Sequence, residues 1–370
     1  MPGEAGSTAR TRLVVLFGGQ SAEHDVSCMT AFHVMRACDP QRYELVPVGI
    51  DRDGGWHLAH HAVAALEGSG ADARSLPATV EATGEAVTPA HALSGASTDV
   101  APLPSTTVVL PLLHGPMGED GTVQGLLELA GVPYVGSGVL GSALGMDKAM
   151  AKDVLARHGV PQARWVALHE HDASPASLEA AAATLGMPVF VKPANMGSSV
   201  GVSKARTVDE LDSAVKDAFA YDEWVVIEEA ITGREIEVAV LGNLRPRASV
   251  PGEIVPGNEF YDYEDKYVDD GAELLVPAPL SPDEAAKVQA LALEVFALLR
   301  CDGLARVDFF YEEGGRGFLC NEVNTMPGFT PISMYPKLWQ ASGMSYPALI
   351  DELVRLALER HARKRRTTSR

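Results

Sequence analysis

The sequence predicts a mixed fold, α/β in its first part and α+β in the rest. Three observations carry this. Near the N-terminus, β-branched apolar runs alternate with helix-like stretches and glycine-bearing turns, the rhythm of a parallel sheet whose functional residues collect at strand C-termini. From about Met146 the strand-like runs follow one another with fewer helices between them, which predicts largely antiparallel sheets. At 370 residues the chain has room for two or three packed units with sizeable cores.

The elements follow in order. RLVVLF, residues 12–17, is a buried-type strand ending at Gly18-Gly19. A helix-like stretch, YELVPVGI and TTVVLPLL continue the α/β rhythm. Residues 67–105 interrupt it: rich in Ala, Gly, Ser, Thr and Pro, without aromatics, they read as a surface insertion carrying no chemistry. MDKAMAKDVLARHG is a helix stopped by Gly159 and Pro161, followed by the strand RWVAL and an Ala-rich helix over 175–185. PVFVKP, VGVSK, WVVIEEAI, REIEVAVLG and RPRASVPGEIV are strands. SPDEAAKVQALALEVFALLR is a helix with capping-box spacing from Ser281 to Glu284, Pro282 in its first turn, and Val288, Leu291, Ala292 and Val295 on one face. The first residues, 1–11, and the basic stretch 359–370 read as solvated tails.

Composition narrows the function. Hydrophobic residues make up 46% and charged residues 21%, an ordinary globular mixture. The formal net charge of −19 sets the field of the whole molecule against nucleic acid and anionic membrane. No run approaches the ~18 apolar residues of a membrane span, and no secretory leader is evident, which predicts a cytoplasmic protein. The four cysteines, Cys28, Cys38, Cys301 and Cys320, have no zinc-type or C-x-x-C spacing and read as reduced, buried thiols.

Residues 304–324 hold the sharpest chemical signal. Two apolar runs flank EEGGRG, the pattern of a β-hairpin. A turn centred on Gly315 pairs Arg306 with Asn324 and Asp308 with Glu322, all on one face. Two carboxylates and an amide oxygen are hard ligands suited to Mg²⁺ bridging to nucleotide phosphates; the alternative is an exposed face with a surface salt bridge. A second signal is PVFVKPANMGSSVGVSK, where Lys192 precedes a loop of Asn195, Gly197, Ser198 and Ser199. It reads either as a turn or as a phosphate cradle, and it is not a Walker loop. GSGVLG, residues 136–141, fits G-x-G-x-x-G but lacks the acidic residue a dinucleotide site needs about 20 positions on. FGGQSAEHDVS places Glu23 and His24 past a strand end, and HGPMGEDGTVQG does the same for His114, Glu119 and Asp120. NEFYDYEDKYVDD, with Tyr261, Tyr263, Lys266 and Tyr267, is either a solvent loop or a closing lid.

GGQSAEHDVS, LHGPMGEDGTVQGLLELAGVPYVGSG, LGMDK, VKPANMGSSVGVSK, YDYEDKY, ARVDFFY and NEVNTMPGFTPISMYPKLW, in this order, closely resemble the D-alanine–D-alanine ligases of the ATP-grasp superfamily. The resemblance spans residue 13 to about 355. It implies a three-region ATP-grasp architecture: an N-terminal α/β substrate region over 12–145, a central one over 146–231, and a C-terminal one over 232–358 holding the metal site. It implies ATP, two D-alanine molecules, two Mg²⁺ for which Mn²⁺ can substitute, and a homodimer.

By motif position the resemblance implies that Lys148 and Lys192 contact the nucleotide phosphates, and Glu228 and Glu235 its adenine and ribose. Asp308, Glu322 and Asn324 hold metal. Glu23, Ser198 and Tyr267 form a hydrogen-bonded trio near the first D-alanine, with His114 nearby. Lys266, Ser333 and Met334 surround the second, and Arg306 and the Gly328 amide steady the reacting carbonyl. The reaction implied is activation of one D-alanine as an acyl phosphate and attack by the amine of the other, to form a cell-wall dipeptide. Rival readings are another ATP-dependent carboxylate–amine ligase, a nucleotide-binding regulatory module, and an NAD-dependent oxidoreductase built on GSGVLG.

Overall fold

The computed structural model describes residues 10–63, 79–94, 107–255 and 273–364. Strands β1 (Thr11–Gly18), β2 (Tyr43–Ile50), β3 (Trp56–Leu58), β4 (Glu85–Val87) and β5 (Thr107–Pro111) form a sheet of order β4-β3-β2-β1-β5. β1 runs parallel to β2 and β5, as the α/β rhythm predicts, while β3 and β4 close one edge as antiparallel hairpin strands. The central strand is apolar because both faces are covered. Leu13, Val15 and Phe17 pack with α1 (His24–Ala37), and Val14 and Leu16 lie in the opposite layer.

The reading of 67–105 as a surface insertion is corrected in its described part. Residues 79–94 supply β4 and α2 (Pro89–Ser94), and Val80, Ala82, Ala92 and Leu93 are buried in the two layers beside the sheet. The small side chains that masked any periodicity are what close packing requires here: a Cβ on Gly49 would lie 2.5 Å from the Ala82 Cα.

Past α3 (Thr122–Ala130), α4 (Val139–Met146) and α5 (Lys148–Arg157), an antiparallel sheet of order β6-β9-β7-β8 follows. Its strands are β6 (Trp165–His169), β7 (Val189–Pro193), β8 (Ser203–Ala205) and β9 (Trp224–Glu229). Helices α6 (Pro175–Leu185) and α7 (Val208–Ala218) pack on one face through Leu178, Leu185, Leu211 and Val215. The Asp147 side chain, accepting from Met150 N at 2.9 Å, separates α4 from α5.

The third sheet is also antiparallel. It joins β13 (Glu273–Leu275), β12 (Gly252–Val255), β10 (Arg234–Gly242), β14 (Gly303–Glu312) and β15 (Gly317–Asn324), with β11 (Arg247–Ala248) beside β10. Helix α8 (Pro282–Leu298) covers it with Val288, Ala292, Val295 and Phe296, and the Ser281–Glu284 capping box is formed. Burial of Val288, Val295 and Phe296 contributes about 1.5–3 kcal/mol each, and Ala292 less. Helices α9 (Met334–Ala341) and α10 (Tyr346–Lys364) lie between this sheet and the N-terminal one, so Leu338, Trp339, Leu353 and Leu356 share a core with Phe17 and Phe32.

The expected solvated tail is corrected over 359–364. These residues continue α10, and the Arg360 side chain is buried with its guanidinium 4.0 Å from the Tyr134 ring centroid. Arg363 and Lys364 pair with Asp302 at 2.6 Å and Glu128 at 2.5 Å. All four cysteines are buried and free. Among the described residues no helix is long and apolar enough to cross a membrane.

Candidate active site

The predicted hairpin is present, with its key pairs in the predicted register: Arg306 opposite Asn324 and Asp308 opposite Glu322. The expected centring on Gly315 is corrected. Glu312 pairs with Gly317, placing the turn over 313–316, and a bulge beyond Asp308 restores the pairing by leaving Asn321 as the extra residue. The bulge has a chemical use: the Asn321 Oδ1 accepts from Lys192 Nζ at 3.0 Å.

Period-two alternation puts Glu237 of β10, Arg306 and Asp308 of β14, and Glu322 and Asn324 of β15 on one face. Arg306 grips both oxygens of Asp308 at 2.7 Å, and its Nε lies 3.0 Å from Glu237 Oε2. Asn324 donates to Asp308 Oδ2 at 2.9 Å. Burial works to lower the Arg306 pKa, but Asp308, Glu237 and Glu322 outweigh it, so the guanidinium stays charged. Asp308 is itself buried, which removes the reading of an exposed salt-bridged face.

Lysines span from the middle sheet to this face. Lys148, opening α5, donates to Met196 O at 2.6 Å and lies 3.7 Å from Glu322. Burial lowers its pKa, with Glu322 acting against the shift. Lys192, at the end of β7, pairs with Glu228 at 2.8 Å; burial opposes its charge, yet Glu228 and Glu322 raise its pKa overall. The second oxygen of Glu228 faces Lys152 Nζ at 2.9 Å. Burial favours the neutral acid, but the two lysines prevail and hold Glu228 down to about 2. Glu235, half-buried on β10, is near enough for its charge to act on Lys192.

A third group hangs from the N-terminal sheet. Ser198 Oγ donates to Glu23 Oε1, joining the β7–β8 loop to the start of α1. Close approach depends on glycine: a Cβ on Gly197 would sit 3.0 Å from Glu23 Oε2. His114 Nδ1 lies 3.1 Å from Met326 O and 3.5 Å from Glu119, both acceptors, so Nδ1 carries the proton. Burial disfavours its second proton, but Glu119 and Glu23 together raise the His114 pKa. Burial leads in raising that of Glu119, with Glu23 adding to it and His114 opposing.

Beyond β15 the chain turns through Gly328 to α9. Ser333 Oγ accepts from Thr330 N at 3.1 Å, and a Cβ on Gly328 would lie 3.2 Å from that oxygen. The Met334 side chain is turned into the core, which leaves its backbone N–H at the first turn of α9 as the group it can offer a ligand. Lys266 and Tyr267, with the rest of YDYEDKY, lie outside the described residues.

The fold thus joins Glu23 to Ser198, Lys148 and Lys192 to the hairpin, and Arg306 to Asp308 and Asn324. Lys152, Glu237 and Asn321 were not among the predicted site residues, and Glu119 was singled out beside His114 without a role. Lys152 has a signal in the sequence, since in MDKAMAK it follows Lys148 by four and shares its helix face. Glu237 has one as well, sharing strand parity with Glu235.

For a divalent cation, the hairpin face offers two carboxylates and an amide oxygen. Among the described residues no cluster of three or more His, Cys, Asp and Glu forms a ready-made cage. Two carboxylates and an amide oxygen are a donor set suited to Mg²⁺, which takes one or two carboxylates and leaves its other positions to water and phosphate. The dinucleotide reading of GSGVLG fares otherwise. A Cβ on Gly138 would stand 3.0 Å from Arg360 Nη1, and one on Gly141 would be 2.5 Å from Arg300 O. These glycines admit protein, not a pyrophosphate.

Comparison with known proteins finds relatives over nearly the whole chain. The family profile described as D-ala D-ala ligase N-terminus matches residues 12–137, and that described as D-ala D-ala ligase C-terminus matches 154–355. A D-alanine–D-alanine ligase of Geobacillus kaustophilus is 46% identical over 368 residues, covering 97% of this chain and 98% of the relative. The D-alanine–D-alanine ligase A of Chromobacterium violaceum is 47% identical, covering 95% and 96%. Among solved structures, the D-alanine–D-alanine ligase of Coxiella burnetii superposes with a TM-score of 0.80 at 36% identity, covering 96% of each chain. The VanG D-Ala:D-Ser ligase of Enterococcus faecalis gives 0.79 at 33% identity, covering 94% of this chain and all of its own.

Proposed function

The chain belongs to the D-alanine–D-alanine ligase family, and we propose from that premise the reaction its residues perform and the role of each. It joins two D-alanines at the cost of ATP, giving D-alanyl-D-alanine, ADP and phosphate for peptidoglycan synthesis. The observation that carries the reading is the convergence of Lys148 and Lys192 on Asn321 and Glu322 at the hairpin face. The regions 12–145, 146–231 and 232–358 serve as substrate, central and C-terminal ATP-grasp units.

A carboxylate is a poor electrophile, so the first D-alanine attacks the γ-phosphorus. An oxygen–phosphorus bond forms, the bond to ADP breaks, and an acyl phosphate results. That step brings two anions together; Lys148 and Lys192 lower its cost by facing the phosphates, and Glu228 and Glu235 hold the base and ribose. Asp308, Glu322 and Asn324 would hold Mg²⁺ (two ions, replaceable by Mn²⁺), which would supply charge neutralisation beside the phosphates. Glu23 and Ser198, with Tyr267, orient the first D-alanine, and His114 stands behind them.

The amine of the second D-alanine then attacks the activated carbonyl. Charge develops on the carbonyl oxygen, and Arg306 with the Gly328 N–H steadies it before phosphate leaves. Arg306 is suited to this because Asp308 and Glu237 fix its plane in advance. Ser333 and the Met334 N–H receive the second carboxylate, aided by Lys266. An acyl phosphate hydrolyses where water reaches it, which gives YDYEDKY its role as a lid. The need for ATP and the four free, buried cysteines support a cytoplasmic setting. Exposed Leu129 on α3, with Val139 and Leu140 on the neighbouring α4, supports a homodimer.

Phosphate release from ATP with D-alanine, L-alanine or no amino acid tests the whole reading. Release dependent on D-alanine is expected; equal release in all three refutes it. Product analysis with D-alanine, D-serine and D-lactate in competition tests the second substrate, for which the dipeptide D-alanyl-D-alanine is expected.

A further inference from the structure

Lys152 has no part in the mechanism above, yet it occupies one of the most enclosed positions in the molecule. It lies one turn beyond Lys148 on α5 and is 2% exposed. Its backbone carbonyl is held by Gln162 Nε2 at 3.1 Å, and its neighbourhood includes the buried thiol of Cys320. A buried ammonium is costly without a partner, and a methionine would fill the space more cheaply. The partner is Glu228, itself 2% exposed, whose two oxygens are divided between two lysines: Oε1 to Lys152 at 2.9 Å and Oε2 to Lys192 at 2.8 Å.

The two lysines are not equivalent. The side chain of Lys192 keeps 12% exposure and already reaches across to Asn321, so it is the arm free to turn toward a phosphate. Lys152 has nowhere to go. When Lys192 swings to the nucleotide, Glu228 would become a lone buried carboxylate and take up a proton, unless a second cation stayed behind. We propose that Lys152 is this fixed counter-ion, a positioning residue that keeps Glu228 ionised and so sets which base the site accepts.

The chemistry of the base gives the claim its content. An ionised carboxylate only accepts hydrogen bonds, which suits the exocyclic amine of adenine. A protonated glutamic acid also donates, and then tolerates the carbonyl that hypoxanthine carries in the same place. The inference rests on the reading that Glu228 faces the base.

The test measures binding, so it does not depend on the second substrate. Kd for ATP and for inosine triphosphate is determined by calorimetry for the unaltered protein, Lys152→Met, Lys152→Arg, Glu228→Gln and the double variant Lys152→Met/Glu228→Gln. ATP preference is expected in the unaltered protein. Lys152→Met weakens ATP binding about tenfold or more and reduces the preference by a similar factor, the effect of losing one charge-assisted hydrogen bond. Lys152→Arg retains most of it. With Glu228→Gln in place, adding Lys152→Met changes neither affinity further.

A preference unchanged in Lys152→Met overturns the inference. So does a change in either affinity when Lys152→Met is added to Glu228→Gln, and that step decides the matter if Lys152→Met alone fails to fold, since the double variant leaves no buried ion of the Lys152–Glu228 pair behind. An unaltered protein that binds both nucleotides equally overturns the placement of Glu228 at the base, and this inference with it. Loss of the D-alanine-dependent reaction with nucleotide preference intact instead refutes the proposed ligase activity alone.

Discussion

Arg306 and Asp308, two residues apart on β14, are joined through both guanidinium–carboxylate contacts at 2.7 Å while Glu237 holds the same guanidinium at 3.0 Å from the next strand. A charge fixed this way needs no reorganisation when an oxyanion forms beside it. Arg306→Ala is expected to lower kcat by about 10²–10³, the usual loss for one oxyanion donor. KM for ATP should change little, because Lys148 and Lys192 remain. Steady-state kinetics separates the two: a loss confined to nucleotide KM removes Arg306 from this role.

Ser198 raises a separable question, since it bonds Glu23 while sitting at φ 49, a left-handed conformation uncommon for a residue with a side chain. Ser198→Ala and Ser198→Gly both delete the hydroxyl, but only glycine relieves the backbone. Both variants should raise KM for D-alanine about equally. Ser198→Gly should also unfold at a higher temperature than Ser198→Ala, by the equivalent of roughly 0.5–1 kcal/mol. Thermal midpoints and D-alanine saturation curves check the pair, and unequal kinetic losses would show that backbone geometry, not the hydroxyl, matters most.

What could be read from the sequence follows from how local the cause is. The Ser281–Glu284 capping box and the α8 core face are set by residues within two turns, and both are formed. The Arg306–Asn324 and Asp308–Glu322 pairs were also legible, although the turn lies elsewhere and the bulge at Asn321 compensates. That bulge has no local signature, because Lys192, which uses it, is 129 residues away. Residues 79–94 look featureless for a related reason: Ala82 owes its burial to Gly49, a distant partner of matching smallness. Arg360 reads as part of a basic tail until Tyr134 is brought beneath it.

Glu228 makes the stability depend on acid pH, and the sign can be worked out. Its ordinary pKa of 4.5 falls to about 2 in the folded protein because Lys152 and Lys192 outweigh burial. A carboxyl with a depressed folded pKa adds stability that is full above about 4.5 and is lost as pH falls toward about 2. Urea unfolding at a series of pH values between those limits should therefore show a steeper loss in the unaltered protein than in Glu228→Gln. The gap between them is expected to close as the pH drops, and parallel curves would mean that Glu228 titrates alike in the folded and unfolded chains.

Arg360 should prove structural in the same experiments that mark Arg306 as catalytic. It is 3% exposed, stacks on Tyr134, and donates to the Tyr134 carbonyl at 3.2 Å, tying the last helix to the N-terminal unit. Because the pair is enclosed, solvent screens it little, and a desolvated cation–π contact is worth about 2 kcal/mol or more. Arg360→Met keeps most of the volume and removes the charge, so a loss of about 2–3 kcal/mol is expected with kcat and both KM values unchanged well below the unfolding transition. Denaturant unfolding beside kinetics at low temperature distinguishes the two. A fall in kcat without a fall in stability would mean that the hold of α10 on the N-terminal sheet, and through it the spacing of Glu23 from Ser198, is part of the catalytic apparatus.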